Sequence, residues 1–152
     1  MVMTIRRFEA EDATAIAGII ARCLREVNSR DYPPDIIDRM RAHFTPEVVA
    51  ALAGRRQMFV ATDADRGGIT GTISRDGNRV HTMFVRPDVA GRGVGRLLLR
   101  HVEALAAADG YDVMETSASI TAHGFYQRLG YHDVRSVDTD FGLNLILRRP
   151  LR

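Results

Sequence analysis

The chain has 152 residues, of which 45% are hydrophobic and 26% charged, so we expect one soluble globular domain over residues 1–152 with a sizeable core. Its net charge of +2, without runs of like charge, gives no reason to expect a nucleic-acid partner. No apolar run is long enough for a membrane span or a signal peptide, and the single cysteine, Cys23, rules out an internal disulfide and a cysteine metal cluster. A cytoplasmic protein without a metal is the expectation.

Hydrophobic periodicity predicts a strand first, then two or three helices, three strands, a helix, a strand, a helix and two final strands. The strands are predicted at residues 3–8, 58–62, 69–74, 79–85, 111–117, 131–137 and 143–147. The helices are predicted over residues 11–28, around 36–40, and over 45–54, 92–109 and 121–129.

Local signals set several of these boundaries. The pair Pro33-Pro34 predicts a break in the helical region. Thr45 is a predicted N-cap with Pro46 at the first helical position, and Asp76-Gly77-Asn78 predicts a tight hairpin. Strands joined by tight turns must be antiparallel, whereas the unit over residues 79–117 should be a right-handed parallel crossover. The predicted fold is therefore α/β (α+β), a mixed sheet with helices on both faces.

A glycine-rich loop joins the strand that ends at Val85 to the following helix. Its glycines, Gly91, Gly93 and Gly95, alternate along the chain, and they leave backbone amides free to bind phosphate at the positive end of the helix dipole. A dinucleotide motif fails because its third glycine would be Arg96, and a triphosphate loop fails because Gly95 is not followed by Lys-Ser/Thr. A phosphate ligand of another kind, or a loop without a ligand, remains.

Two motifs resemble those of the GNAT superfamily of acetyl-CoA-dependent N-acyltransferases. Phe84-Val85-x-Pro87 with Gly91-Arg92-Gly93-Val94-Gly95 and Leu98 resembles the family's acetyl-CoA-binding motif, and Ala122-x-x-Phe125-Tyr126-x-x-Leu129-Gly130-Tyr131 resembles its second motif. The resemblance covers nearly the whole chain, and the run from Ser119 to Ala122 is similar to a poorly characterised bacterial subgroup. It implies a mostly antiparallel sheet of about seven strands with one splayed parallel pair, flanked by about four helices. It also implies acetyl transfer from acetyl-CoA to a primary amine of a small molecule or peptide.

The resemblance implies where the cofactor lies. Its pantetheine arm would bond to the backbone of Met83, Phe84 and Val85. Its pyrophosphate would lie on the loop and first helical turn, at Gly91, Arg92, Gly93, Val94, Gly95 and Arg96. The sequence departs from the family at Ala90, where Gln or Arg is usual, and at Ser119, where Asn is usual. Arg92 and Arg96 are expected to compensate for Ala90, since guanidinium groups pair with phosphate oxygens. Ser119 is expected to make a hydrogen bond or cap the next helix.

The resemblance also implies that Tyr126 is the catalytic acid. Helical geometry predicts that Phe125 and Leu129 face the core while Tyr126 turns away from them towards the cleft. For the base, we predict His81, which strand alternation places on the same face as Met83, with Glu115 on the neighbouring strand as the alternative.

The acceptor pocket is expected to come from residues 28–45 and 138–142. Acidic side chains in these segments would attract a cationic amine: Asp31, Asp35, Asp38, Asp138 and Asp140. A catalytically degenerate CoA-binding or regulatory module, motivated by Ala90 and Ser119, is the alternative function, and a nucleotide-binding module of another class is a third. The last strands are able to pair across a homodimer.

Overall fold

The computed structural model describes residues 2–65 and 67–152, and its described strands form one seven-stranded sheet in the order β1-β2-β3-β4-β5-β7-β6. The strands are β1 (Met3–Arg7), β2 (Gln57–Asp63), β3 (Ile69–Asp76), β4 (Arg79–Val85), β5 (Val113–Ser119), β6 (His132–Thr139) and β7 (Gly142–Pro150). The helices are α1 (Ala13–Glu26), α2 (Pro34–His43), α3 (Pro46–Arg55), α4 (Val94–Ala108) and α5 (His123–Arg128). The predicted mixed sheet with helices on both faces is confirmed.

Pairing follows the predicted directions. Strands β1 to β4 are antiparallel neighbours, and β3 and β4 are joined by the two-residue turn Gly77-Asn78, in which Gly77 has φ +57°. Strand β5 pairs parallel to β4 after the α4 crossover, and β7 lies antiparallel between β5 and β6. The parallel pair therefore lies inside an otherwise antiparallel sheet.

Each face of the sheet carries its own hydrophobic core. On one face, α1, α2 and α3 bury residues such as Ile20 and Val49 against the sheet. On the other face, α4 and α5 bury residues such as Leu98 and Tyr126. Neighbouring β2 residues divide between the two cores, with Val60 in the first and Phe59 in the second, because successive strand side chains point to opposite faces. The faces are called here the α1–α3 face and the α4–α5 face.

Most helix boundaries shift by one or two residues from the prediction, and three of the differences have a clear local reason. Pro34 is the first residue of α2 rather than part of a break, because proline is tolerated where the amide lacks a helical partner. Helix α3 continues through Gly54 to Arg55, although its start is as predicted, with the Thr45 hydroxyl accepting from the amide of Val48. Helix α4 begins at Val94, two residues later than predicted, after a left-handed Gly93. Among the described residues, no helix is long and apolar enough to cross a membrane.

A buried carboxylate joins α4 to the chain that follows α5. Glu103 is 4% exposed. It accepts hydrogen bonds from the Tyr131 hydroxyl at 2.6 Å and from Arg100 at 2.7 Å, while Arg149 lies 3.5 Å away. Burial, followed by the bond to Glu103, raises the pKa of Tyr131, so this hydroxyl stays protonated. The arrangement satisfies a buried charge whose unpaired burial would be costly.

Candidate functional site

The sheet opens between its two parallel strands. Strands β4 and β5 pair at only two positions, Arg79 with Glu115 and Val80 with Thr116. At this closed end, the Glu115 carboxylate lies 2.9 Å from Arg148 and 3.3 Å from Arg79. Beyond Val80 the strands part and leave a gap, as expected from the family resemblance. Glu115 therefore forms ion pairs at the end where the two strands are joined, and these pairs hold its carboxylate away from the open part of the gap.

A bulge in β4 changes which side chains face which core. The β3–β4 register shifts between Thr72 and Ser74, and Thr82 has φ +44°, a strained conformation for a β-branched residue. Val80 and Met83, three residues apart, both pack on the α4–α5 face. His81, next to Val80, therefore lies on the other face from Met83. The expected common face of His81 and Met83 is wrong, because simple alternation fails at a bulge.

The main chain of β4 also presents groups to the gap. The amide of Arg86 donates to Thr70 of β3 at 2.7 Å. Since successive residues of an antiparallel strand point their backbone groups to opposite sides, Met83 and Val85 direct theirs towards the gap. The Val85 carbonyl accepts a hydrogen bond there from the Cys23 thiol at 3.0 Å. Burial raises the pKa of Cys23 to about 11, so the thiol is protonated at neutral pH.

A cavity of about 560 Å³ fills the gap and extends to both faces of the sheet. The residues predicted to bind the cofactor line it, except Arg92, which is exposed on the glycine loop, and so do Tyr126 and His81, whereas the alternative base Glu115 does not. Sequence reasoning missed several other lining residues, which share no motif: Cys23, Arg128 and Asn144. Cys23 belongs to the predicted apolar stripe of α1, but the stripe does not show that it borders a cavity.

The three loop glycines have different structural roles. Gly91 and Gly93 adopt φ +80° and +89°, where a side chain would be strained. Gly95 is instead a packing position, since a Cβ there would lie 3.1 Å from the Phe125 ring. No side chain caps α4 at Gly93, so the amides of its first turn are available to an anion. Arg96, in that first turn, lines the cavity beside them.

Ser119 closes the turn between β5 and α5. Its hydroxyl accepts a hydrogen bond from the amide of Ala122 at 3.1 Å, and Ala122 is the residue that precedes the helix. Ser119 therefore makes the expected hydrogen bond within this turn, although no side chain caps α5 itself. Ser119 also lines the cavity. The turn that leads into α5 therefore fixes the position of this cavity residue as well.

Tyr126 lies in the α4–α5 core and also borders the cavity. It is 3% exposed and is the one buried residue of α5, whereas Phe125 and Leu129 are half-buried. Tyr126 reaches the cleft as predicted, but it does so from within the core, because the cavity itself penetrates that core. Its hydroxyl lies 3.9 Å from the sulfur of Met83, a weak acceptor. Burial raises the pKa of Tyr126 to about 12, with Thr116 opposing the rise.

His81 lies across the sheet from Tyr126. Burial lowers the pKa of His81, and the positive charge of Arg56 lowers it further. Arg56 also donates a hydrogen bond to the Thr82 hydroxyl at 3.3 Å, directly beside His81 in the chain. The imidazole is therefore neutral at physiological pH and available as a proton acceptor. The cavity thus has a protonated phenol on one face of the sheet and a neutral imidazole on the other.

Both segments expected to form an acceptor pocket contribute to the cavity, through residues such as Asn28, Phe44 and Phe141. The acidic side chains expected to attract an amine do not line it. Asp31 accepts a hydrogen bond from Thr121 at 2.7 Å, and Asp38 lines a separate, smaller depression. Among the described residues that line the cavity, none is Asp or Glu. Asp31 therefore joins two loops and Asp35 lies in the first turn of α2, both usual positions for aspartate.

Comparison with known proteins identifies the family. Residues 28–146 match the model of the acetyltransferase (GNAT) domain. Peptidyl-lysine N-acetyltransferase YjaB of Escherichia coli is 29% identical over 134 residues, which cover 86% of this chain and 83% of the relative.

Solved structures share the fold along the full length. The crystal structure of a GCN5-related N-acetyltransferase from Rhodopseudomonas palustris superposes with a TM-score of 0.88 at 25% identity, covering 99% of this chain and 98% of the other. PaiA N-acetyltransferase from Thermoplasma acidophilum, in complex with coenzyme A, has a TM-score of 0.77 at 18% identity and 99% coverage of both chains. Together with the matched domain, these findings show that the chain belongs to the GNAT acetyltransferase family and is an acyltransferase.

Proposed function

We propose that this protein transfers the acetyl group of acetyl-CoA to a primary amine of a small molecule or peptide, by direct attack within a ternary complex. The observation that carries the proposal is the open gap in the sheet, with Tyr126 on one face, His81 on the other and the uncapped start of α4 at its end. The comparisons support the reaction class, and the relative named a peptidyl-lysine N-acetyltransferase supports an amine acceptor.

The cavity fits the cofactor in two places. The pyrophosphate would accept hydrogen bonds from the first-turn amides of α4, with Arg96 and Arg128 of the cavity wall adding positive charge. The amide groups of the pantetheine arm would pair with the backbone of Met83 and Val85, where β4 lacks a partner strand. Coenzyme A bound to the structurally similar PaiA supports this choice of ligand.

The proposed base and the proposed hydrogen-bond donor lie on opposite faces of the gap. A neutral amine attacks the thioester carbonyl, forms the nitrogen–carbon bond and becomes a better acid as it does so. His81, on the α1–α3 face, accepts that proton directly or through water. As the carbon–sulfur bond breaks, negative charge develops on sulfur. Tyr126, on the α4–α5 face, donates a hydrogen bond to that sulfur, because its raised pKa keeps the hydroxyl protonated.

Direct transfer is favoured over an acyl-enzyme intermediate by the state of the single cysteine. Cys23 borders the cavity, but its thiol is buried, donates to the Val85 carbonyl and has a pKa raised to about 11. A thiolate is the nucleophilic form, so this thiol is a poor nucleophile at neutral pH. The amine must then attack the thioester of acetyl-CoA itself.

The test is release of free CoA thiol when purified protein is incubated with acetyl-CoA and a panel of primary amines. We expect amine-dependent release and acetylated product by mass spectrometry. His81→Gln should lower kcat with a smaller effect on the KM of acetyl-CoA, since His81 acts on the amine. Thiol release that no amine accelerates, in protein that binds acetyl-CoA, would contradict the proposal.

The second candidate function is CoA binding without turnover. Ala90 lines the cavity with a methyl group where the family usually has a polar side chain, which removes one contact to the pyrophosphate. If this were the function, the Tyr126→Phe variant would bind CoA as the wild type does, and neither protein would acetylate any amine.

A further inference from the structure

The α1–α3 side of the cavity is walled by apolar and aromatic side chains from separate parts of the chain: Leu24, Val27, Met40, Phe44, Phe84 and Phe141. The Phe44 and Phe84 ring centroids are 6.0 Å apart in an edge-to-face arrangement. His43 extends the cluster, 5.0 Å from Phe44 and 5.3 Å from Phe141. Such a surface favours a flat apolar group, because burial of a ring between rings adds stacking to the hydrophobic gain.

Hydrogen bonds of the Tyr32 hydroxyl connect three segments of the chain next to Phe141. The Tyr32 hydroxyl donates to the Leu143 carbonyl at 3.1 Å and accepts from the Ile120 amide at 2.8 Å. Gly142 allows this approach, since a Cβ there would lie 3.0 Å from the Tyr32 ring. The hairpin turn that carries Phe141 is thus fixed over the cavity. The three rings of Phe44, Phe84 and Phe141, called here the aromatic wall, are therefore in place before any ligand binds.

The charges of this region argue against a second ammonium group on the acceptor. No carboxylate occurs among the described cavity-lining residues, and the cation Arg56 lowers the pKa of His81 by more than Asp76, outside the cavity, raises it. A polyamine or a similar polycation would place an unpaired charge in this pocket and lose its hydration there. The pocket therefore suits one amine attached to an uncharged apolar group.

The aromatic wall lies next to the predicted base. His81 and Phe84 share the α1–α3 face of β4 because the bulge at Thr82 shifts the alternation. An amine positioned at His81 would have its substituent against Phe84, Phe44 and Phe141. Resting on the proposed acetyl transfer, we propose that the acceptor is a primary amine that carries an aromatic ring one to three carbons away, an arylalkylamine, and that these three rings select it.

The first experiment measures binding without turnover. Protein saturated with CoA is titrated calorimetrically with 2-phenylethylamine, n-butylamine, putrescine and Nα-acetyl-lysine amide. We expect 2-phenylethylamine to bind roughly 10- to 100-fold more tightly than n-butylamine, the range for burying one ring, with putrescine weakest. Equal or tighter binding of putrescine or the lysine amide would overturn the inference.

The second experiment assigns the selectivity to the wall. Phe141→Ala should remove at least tenfold of the preference for 2-phenylethylamine over n-butylamine, with the KM of acetyl-CoA unchanged. Val134→Ala, an exposed truncation on the same hairpin, is the matched control, and melting curves verify folding. An unchanged preference in Phe141→Ala overturns the inference. It is also overturned if Phe141→Ala changes only the activity with longer acyl-CoA donors, because the rings would then contact the acyl group and not the amine. Ring-selective binding without acetylation of any amine would instead refute the proposed acetyl transfer, and the rings would then select a bound ligand rather than an acceptor.

Discussion

Two neighbouring tyrosines allow the proposed chemistry to be separated from stability. The Tyr126 and Tyr131 rings lie 5.4 Å apart in the same core, yet their hydroxyl groups face different partners. Tyr126 lies 3.9 Å from the Met83 sulfur and has a side-chain hydrogen bond with Thr116, both uncharged partners, whereas Tyr131 donates to the buried Glu103 at 2.6 Å. Removing one oxygen atom from each should therefore have opposite consequences.

Tyr126→Phe removes the donor proposed for the departing sulfur and, in the free protein, only hydrogen bonding to uncharged groups. We expect kcat to fall roughly 10²- to 10³-fold, the usual cost of one donor to developing negative charge, while unfolding free energy falls by no more than about 0.5–1.5 kcal/mol, the net value of one neutral hydrogen bond. Tyr131→Phe removes a hydrogen bond to a buried carboxylate. It should cost about 1.5–3 kcal/mol, a fall in Tm of about 3–12 °C at this chain length, with kcat within about twofold of wild type.

The assay pairs steady-state thiol release with thermal melts on both variants, below the Tm of the weaker one. Wild-type kcat in Tyr126→Phe would refute the donor role. A large fall in Tm in the same variant would mean that the hydroxyl is structural, and parallel losses of activity in both variants would mean that core packing, not the Tyr126 oxygen, controls the rate.

Two further predictions test other parts of the site. Burial and the Arg56 charge lower the pKa of His81, so kcat/KM should fall only below the ordinary histidine pKa of about 6.5. Arg56→Met removes a cation that disfavours the imidazolium, so the acid limb should move to higher pH, and an unmoved limb would exclude His81 as the titrating base. Gly95→Ala places a Cβ 3.1 Å from the Phe125 ring and should lower unfolding free energy by about 1–3 kcal/mol. Gly18→Ala, at an exposed and unobstructed position of α1, should raise it by about 0.4–1 kcal/mol, and urea titrations in which both variants shift in the same direction would refute the packing argument.

Much of the fold follows from signals that are local in sequence. The Gly77-Asn78 turn, the Thr45 cap and the alternation of apolar residues predict seven strands and their directions, because each signal acts over a few residues. Pro34 was misassigned, since a proline that breaks a helix interior is also well suited to a helix start. Both outcomes have the same local sequence, and only packing against α1 and the sheet decides between them.

The site is less predictable because it depends on exceptions to periodicity. The bulge at Thr82 places His81 and Met83 on opposite faces of the sheet. Nothing in the sequence of β4 predicts a positive φ at this threonine. The aromatic wall combines Phe44, Phe84 and Phe141 from distant segments. The expectation for acidic side chains failed for a related reason: Asp31 pairs with Thr121, a partner that is 90 residues away in the chain.

The short pairing between β4 and β5 has a thermodynamic consequence. The two strands could have exchanged several main-chain hydrogen bonds, but their pairing ends at Val80. The sheet of the free protein is therefore less cooperative at this position than a fully paired sheet would be. If acyl-CoA completes that ladder, as proposed, ligand and folding are linked, and saturation at 100 times Kd adds about 2.7 kcal/mol to unfolding free energy. The amides of Met83 and Val85 should then exchange hydrogen slowly only when the ligand is bound, and resistance to proteolysis should follow the cellular acyl-CoA level.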